Sequence, residues 1–551
     1  MKRGIGVTDA IAIGKAYVLP EPDMEHLPAR TDDAEGEVER LFAAVRASRM
    51  QLAAIAAQAD SETANIMRAH MTFLEDDSFN EHAAQMIRTQ GYTAEKAIAV
   101  TAQRLGDMFR TMEDDYMRER ASDISDVSGR VIRTLLGEPE SPLGKLPPET
   151  IVVARDLVPS QTAQLNRENV AGFVTELGGK TSHTAIMAQA KGIAAVVACA
   201  GILAQVKTGD EVIVNALTGE VFVNPTQEEL AQQRRRKETH ERLGRLAETA
   251  KDWTLRKKDG GTILVVANIG NVEEAKQAKA NGADGIGLFR SEFLFMSRRE
   301  SPTEEEQFQA YRTAVELFAP APVVIRTLDI GGDKRLPYLD MPTEKNPFLG
   351  VRGIRLCLQH EDLFRTQLRA LLRAGSYGKL KIMFPMIGHM SELRRAKELL
   401  AQCRQELRDE GVDVAEVSVG MMVEVPAAAV CAEAFAKEVD FFSIGTNDLT
   451  QYTLAVDRGN AALNGLCDYM HPAVLRLISQ TIAVAHRAEI SCGMCGEMAG
   501  DAAALELLSG YGLDTYSVSP GSIGRTKCGL LMQEQVCCSE ADEGFLERLG
   551  R

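Results

Sequence analysis

The sequence predicts a multidomain α/β protein in which a compact α/β domain, interrupted by a helical bundle, is followed by a (β/α)8 barrel of the TIM type. Three observations predict it. The 551 residues exceed what one hydrophobic core organises. From about Glu35 to residue 140, apolar positions such as Val38, Leu41, Phe42, Val45, Leu52 and Ile55 recur at helical spacing between two strand-rich segments. From about residue 260, short apolar runs alternate with helical stretches over roughly 290 residues, the size and rhythm of a barrel built from βα units.

Taken in order, the opening RGIGVTDAIAIGKAYVL has too few charges for an exposed helix and reads as one or two strands. The helical insertion comes next, with acidic runs LEDD (74–77) and MEDD (112–115) that are either solvated faces or a docking surface for a basic protein. SPLGKLPPET reads as a linker. TIVVA, AGFVTE, IAAVVACA, EVIVNA and EVFVNP then alternate with short helical segments, and the first strands are expected to rejoin this domain to close its core. QEELAQQRRRKETHERLGRLAETAKDW is polar nearly all round and long, as a helix bridging two domains would be. The barrel strands are TILVVAN, GIGLFR, VVIRTLDI, KIMFPMI, VSVGMMVEV, FFSIGTN and EISCGMCG, with an eighth expected around NPFLGVRGIRL. The expected domains are 1–22 with 141–225, the insertion 23–140, the bridging helix 226–255 and the barrel 256–551.

Composition narrows the partners. With 62 basic and 78 acidic residues the formal charge is −16, a field that repels nucleic acid and anionic membranes and favours basic proteins. A phosphate site must therefore be locally basic. No apolar run approaches the roughly 20 residues of a membrane span. Ten cysteines scattered without an export signal read as reduced thiols in a cytoplasm. CGMC (492–495) has the spacing of a zinc or redox pair, but no second pair accompanies it.

Chemistry in a barrel sits where the strands end. Here GIGLFR ends in Arg290. VVIR ends in Arg326, followed by Asp329, Gly331, Gly332, Asp333 and Lys334. VGMMVEVP ends in Glu424, FFSIGTND in Asn447 and Asp448 with Arg458 beyond, and the last strand delivers Cys495. Glu424 and Asp448 lie one βα unit apart and suit a hard divalent ion such as magnesium, unless they only pair with the arginines. Arg290, Arg326 and Arg458 around a metal describe a pocket for a small phosphorylated acid. Cys495 is either a buried filler or an acid that protonates a carbanion-like carbon.

One further stretch, GGKTSHTAIMAQAKG (178–192), puts His183 where a glycine-rich turn becomes a helix. Thr181 or Ser182 can cap that helix and Gly192 can close it. The positive helix end favours an anion and depresses the imidazole pKa, which suits transient phosphorylation; a structural histidine is the alternative.

GGKTSHTAIMA is similar to the phosphohistidine motif of phosphoenolpyruvate-utilising enzymes. GLFRSEFLFM, RTLDIGGDK, NPFLGVRGIR, MVEVP, FFSIGTNDLTQY, AVDRGN and GMCGEMAGD are similar to the phosphoenolpyruvate barrel of the same enzymes. Nearly end to end, the chain resembles the Enzyme I family of the bacterial phosphotransferase system, the phosphoenolpyruvate–protein phosphotransferases. The resemblance implies a swivelling phosphohistidine domain and gives the residues roles. His183 is phosphorylated, Glu424 and Asp448 hold magnesium, and Arg290 and Arg326 clamp the phosphate. Asn447, Asp448, Arg458, Lys334 and Arg352 complete the substrate pocket, and Cys495 protonates enolpyruvate to pyruvate. It further implies transfer to a histidine of the carrier protein HPr docked on the helical insertion, and a homodimer joined through the barrel. The chain departs from the family where a proline-glycine is usual, carrying TDAIAIG, and Lys180 stands for the frequent arginine. A dikinase or synthase would need a large ATP-binding domain, for which no P-loop is present. A paralogue serving a nitrogen-regulatory carrier would usually have an added N-terminal sensory domain.

Overall fold

The computed structural model describes residues 1–20, 27–58, 61–110, 115–137, 142–179, 182–296, 298–332, 334–341, 343–458 and 460–550. Lys180, Thr181, Asp333 and residues 112–114 of MEDD lie outside the described residues, as does the side chain of His183. The chain divides into two compact units, Met1–His240 and Glu241–Arg551, and the division falls inside the polar helix Gln227–Ala250.

The first unit is built on a mixed eight-stranded sheet. Its order is Lys2–Arg3, Glu220–Val223, Glu211–Asn215, Ile11–Val18, Thr150–Ala154, Val170–Thr175, Ala194–Val197, Ile5–Gly6. The opening of the chain thus gives three strands rather than one or two, and they do rejoin the later segment. Ile11–Val18 runs parallel to Thr150–Ala154, with Lys15 opposite Thr150, and antiparallel to Glu211–Asn215. Thr150–Ala154 is buried along its whole length, as a central strand covered on both faces must be. The helical insertion comprises Ala34–Gln58, Ser61–Leu74, Asp77–Gln90, Ala94–Arg110 and Asp115–Leu135 around a core that includes Leu41, Leu52, Met67, Ile87, Ile98 and Val131. SPLGKLPPET is not the linker its prolines suggest. Leu143 and Leu146 enter the core beside Val152 and Phe173, because a leucine pair in a short turn gains more from burial than a polar spacer would.

The second unit is a closed parallel barrel. Its strands are Thr262–Ile269, Ile286–Arg290, Val323–Arg326, Leu380–Phe384, Ser418–Val423, Phe441–Ile444, Ser491–Met494 and Thr515–Val518. Thr262–Ile269 pairs with both Ile286–Arg290 and Thr515–Val518, which closes the ring. The eighth strand is therefore TYSV, not NPFLGVRGIRL. The latter forms a 3-10 turn at Pro347–Leu349 and a helix at Ile354–Gln359, because Pro347 and the glycines at 350 and 353 interrupt strand pairing. It follows that Cys495 comes from the seventh strand rather than the last. Leu255–Lys257 and Val536–Cys537 pair antiparallel at the barrel's edge.

Candidate active site

The second unit gathers the barrel residues given substrate, metal or proton-transfer roles above around one cavity. Arg290, Arg326, Lys334, Arg352, Glu424, Asn447, Asp448, Arg458 and Cys495 all line a hollow of about 240 Å³ at the strands' C-terminal ends, with Leu288 and Met422 among its apolar walls. Asn447 and Asp448 come slightly later than the strand end expected of FFSIGTND. Phe441–Ile444 stops before Gly445, and Asn447 and Asp448 stand in the first turn of helix Thr446–Leu454.

Charge pairing orders the wall. Arg352 straddles two carboxylates, with Nε and Nη2 each 3.0 Å from an Asp329 oxygen, and Nη1 and Nη2 at 3.0 and 3.2 Å from Asp448. Burial opposes that charge, but Asp329 and Asp448 outweigh it and hold the Arg352 pKa above its ordinary value. Arg326, buried at the end of its strand, donates to Glu292 at 2.6 Å and pairs with Asp329 at 3.1 Å. Its pKa too is raised, burial being outweighed by Glu292, Asp329 and Glu424. Arg458 is more open, with Nη2 3.8 Å from Asp448, while its backbone N–H donates to Gln451.

Glu424 differs from its neighbours. It is 1% exposed, its Oε1 accepts the Met386 N–H at 2.7 Å, and no ion pair reaches it among the described residues. Burial, then the nearby Asp448 and Asp329 carboxylates, pushes its pKa up to about 8. Met386 sits at φ 58, a backbone region that side chains other than glycine avoid, and that conformation directs its N–H at Glu424. Among the described residues no group of three or more His, Cys, Asp or Glu is arranged for an ion. The donor set is thus the Glu424 and Asp448 pair. Two neighbouring buried carboxylates, one of them raising the proton affinity of Glu424, fit a magnesium ion, which takes one or two protein carboxylates and fills its shell with water and substrate oxygens. The alternative in which both carboxylates only pair with arginines describes Asp448 but, among the described residues, not Glu424.

Cys495 is 6% exposed, and its N–H donates to Ile444 O at 3.0 Å. Asn268, the last polar residue of TILVVAN, donates to Cys495 O at 3.1 Å and to Ser517 O at 3.0 Å and so fixes the turn that carries the thiol. All ten cysteines are free. Sequence reasoning assigned no role to Asn268, Glu292 or Asp329. The available signals were a lone amide inside an apolar strand and two carboxylates within three residues of a strand-end arginine.

In the first unit, helix His183–Lys191 has the caps its sequence suggests. Ser182 Oγ accepts the Ala185 N–H at 3.3 Å, and Gly192 at φ 64 closes the other end in the left-handed region. The Thr184 hydroxyl donates to Leu157 O, tying the first turn to the sheet domain.

Three family models match the chain: the N-terminal domain of the PEP-utilising enzymes at residues 3–120, their mobile domain at 146–219 and their PEP-binding domain at 245–535. The phosphoenolpyruvate-protein phosphotransferase of Geobacillus stearothermophilus is 50% identical over 528 residues, covering 94% of this chain and 91% of its own. That of Priestia megaterium is 47% identical over 527 residues, covering 95% and 92%. An NMR solution structure of Enzyme I aligns with 44% of this chain and 100% of its own at 35% identity, with a TM-score of 0.39. With its full-length relatives and all three matched domains, the chain belongs to the PEP-utilising enzymes.

Proposed function

We propose that the chain is a phosphoenolpyruvate–protein phosphotransferase that takes the phosphoryl group of phosphoenolpyruvate onto His183, releases pyruvate, and passes the group to a histidine of an HPr-type carrier. The observation that carries this reading is the convergence of four arginines, a lysine, two metal-fitting carboxylates and a buried thiol on one small cavity in a chain that also holds a capped, glycine-flanked histidine.

The bond between phosphorus and the enol oxygen breaks as an imidazole nitrogen of His183 forms a bond to phosphorus. The electron pair stays on the departing enolate. Arg290 and Arg326 hold the phosphoryl oxygens and offset charge in an in-line transfer governed by positioning and electrostatics. Lys334, Arg352, Arg458 and Asn447 orient the substrate. Glu424 and Asp448 would hold magnesium, which when bound would neutralise anionic charge. Cys495 Sγ gives its proton to the methylene carbon, completing pyruvate, while Leu288 and Met422 keep bulk water from that carbon.

His183 belongs to the first unit and the cavity to the second, so the reaction requires the histidine to be delivered and withdrawn; helix Gln227–Ala250, polar along its length, suits an arm. On this reading the domains are 1–22 with 141–225, 23–140 as the HPr-docking insertion, 226–255 as the arm and 256–551 as the substrate and homodimerisation barrel. The free thiols favour a cytoplasmic site of action, and no helix of the described residues is long and apolar enough to cross a membrane.

The test is incubation with labelled phosphoenolpyruvate and magnesium. Acid-labile label should appear on the protein, transfer to HPr, and vanish in His183→Ala. Label that persists in His183→Ala overturns the assignment of the nucleophile.

A further inference from the structure

Glu292 is a buried carboxylate in the cavity wall that neither the metal pair nor the proton transfer uses. It stands two residues after Arg290 in the 3-10 turn Ser291–Leu294 and is 1% exposed. Its Oε1 accepts from two cations, Arg326 Nη2 at 2.6 Å and Lys334 Nζ at 3.2 Å. Its Oε2 is buried and has no partner among the described residues. Such a carboxylate is costly to bury, and half of its hydrogen-bonding capacity goes unused. Arg326 does not depend on it for neutralisation, since Asp329 already lies 3.1 Å away.

What Glu292 adds is a junction. Arg326 ends one barrel strand, and Lys334 comes from the following turn, where Gly331 and Lys334 form an isolated bridge. The single oxygen between them brings both cations to one side of the cavity. Lys334 has a side chain 32% exposed, and Glu292 is its one ion-pair partner among the described residues. Without that oxygen its flexible stem gains rotamer freedom by moving into water.

We propose that Glu292 is a positioning residue that converges Arg326 and Lys334 on the phosphoryl group of the substrate. This rests on the phosphoenolpyruvate reading above. It differs from a structural role in being selective for phosphate, because pyruvate presents nothing to that pair of cations.

The test titrates full-length wild type, Glu292→Gln, Lys334→Met and the double variant with phosphoenolpyruvate, inorganic phosphate and pyruvate, each with magnesium. Glu292→Gln keeps the side-chain volume and an acceptor for Arg326, and its melting curve reports whether folding is intact. Loss of one charge-assisted contact should weaken phosphoenolpyruvate and inorganic phosphate by about 10-fold in either single variant. Pyruvate should change by less than about 2-fold, and the double variant should be no weaker than the singles within about 2-fold, since both remove the same contact. Unchanged phosphate affinity, an equal loss for pyruvate, or additive losses would each overturn the proposal. Wild type that binds phosphoenolpyruvate but forms no phosphohistidine would sink the transfer reading alone, and the binding comparison would still decide the role of Glu292.

Discussion

The thiol of Cys495 packs with Leu288, Met383, Met422 and Phe441, and burial raises its pKa above the ordinary 9.0, with Ser443 and Arg326 pulling the other way. A raised value means that the proton stays on sulfur through neutral pH and leaves only above 9.0, which is the state an acid needs. Pyruvate formation should therefore show no alkaline loss between pH 7 and pH 9 attributable to the thiol, and a fall centred within that range, absent in Cys495→Ala, would contradict it. Cys495→Ala itself should slow pyruvate formation by about 100-fold or more while phosphoenolpyruvate binding shifts by less than about 3-fold. Equal losses in both would make the thiol structural. Glu424 is a buried carboxylate with no ion pair among the described residues, so Glu424→Gln should have two opposite effects. In chelator the variant should melt about 1–2 °C above wild type, for about 1 kcal/mol of relieved carboxyl burial. In the assay it should need roughly 10-fold more magnesium, and an unchanged requirement would remove Glu424 from the metal site.

At the scale of elements, the cavity depends on how closely the loops after strands Phe441–Ile444 and Ser491–Met494 approach. Gly496 is the contact: a methyl group there would meet Thr446 Oγ1 at 1.8 Å and Thr446 N at 2.7 Å. Glu497 N–H also donates to Asn447 Oδ1 at 3.1 Å, so the loop carrying the thiol and the helix carrying Asn447 and Asp448 hold each other in place. Gly496→Ala should push them apart and lower kcat by about 10–100-fold, the penalty of an ångström-scale misplacement. Far-ultraviolet circular dichroism should remain that of wild type. Full activity in Gly496→Ala would show that the two loops move independently. The same scale explains the misplaced strand. NPFLGVRGIRL has the branched and apolar residues of a strand, but its backbone crosses the barrel mouth to deliver Arg352 to Asp329 and Asp448. Composition records the apolar residues and not the direction of the chain. TYSV is short and holds two hydroxyl-bearing residues besides tyrosine, so periodicity alone does not separate it from a loop.

For the whole molecule, every residue of the proposed substrate pocket lies in the second unit, which has its own core from Leu246 to Leu549. A fragment of residues 241–551 should therefore bind phosphoenolpyruvate within about 3-fold of the intact chain yet form no phosphohistidine, as expected of a domain with an independent core. Calorimetry and the label assay measure the two halves of that statement, and a fragment that folds but fails to bind would show that the first unit completes the pocket.

The sequence by itself determined the two architectures, the helical insertion and the identity of the strand-end charges, because hydrophobic period and the residue following each apolar run are local properties. It also determined the capped helix at His183, since cap residues act over three or four positions. Only the tertiary structure decided that Thr515–Val518 closes the ring, that Arg352 bridges Asp329 and Asp448 while Glu424 has no ion pair among the described residues, and that Glu292 joins Arg326 to Lys334. These depend on which loops meet across the barrel mouth, and residues 23 to 96 positions apart along the chain come within 3 Å or so for reasons no local pattern contains.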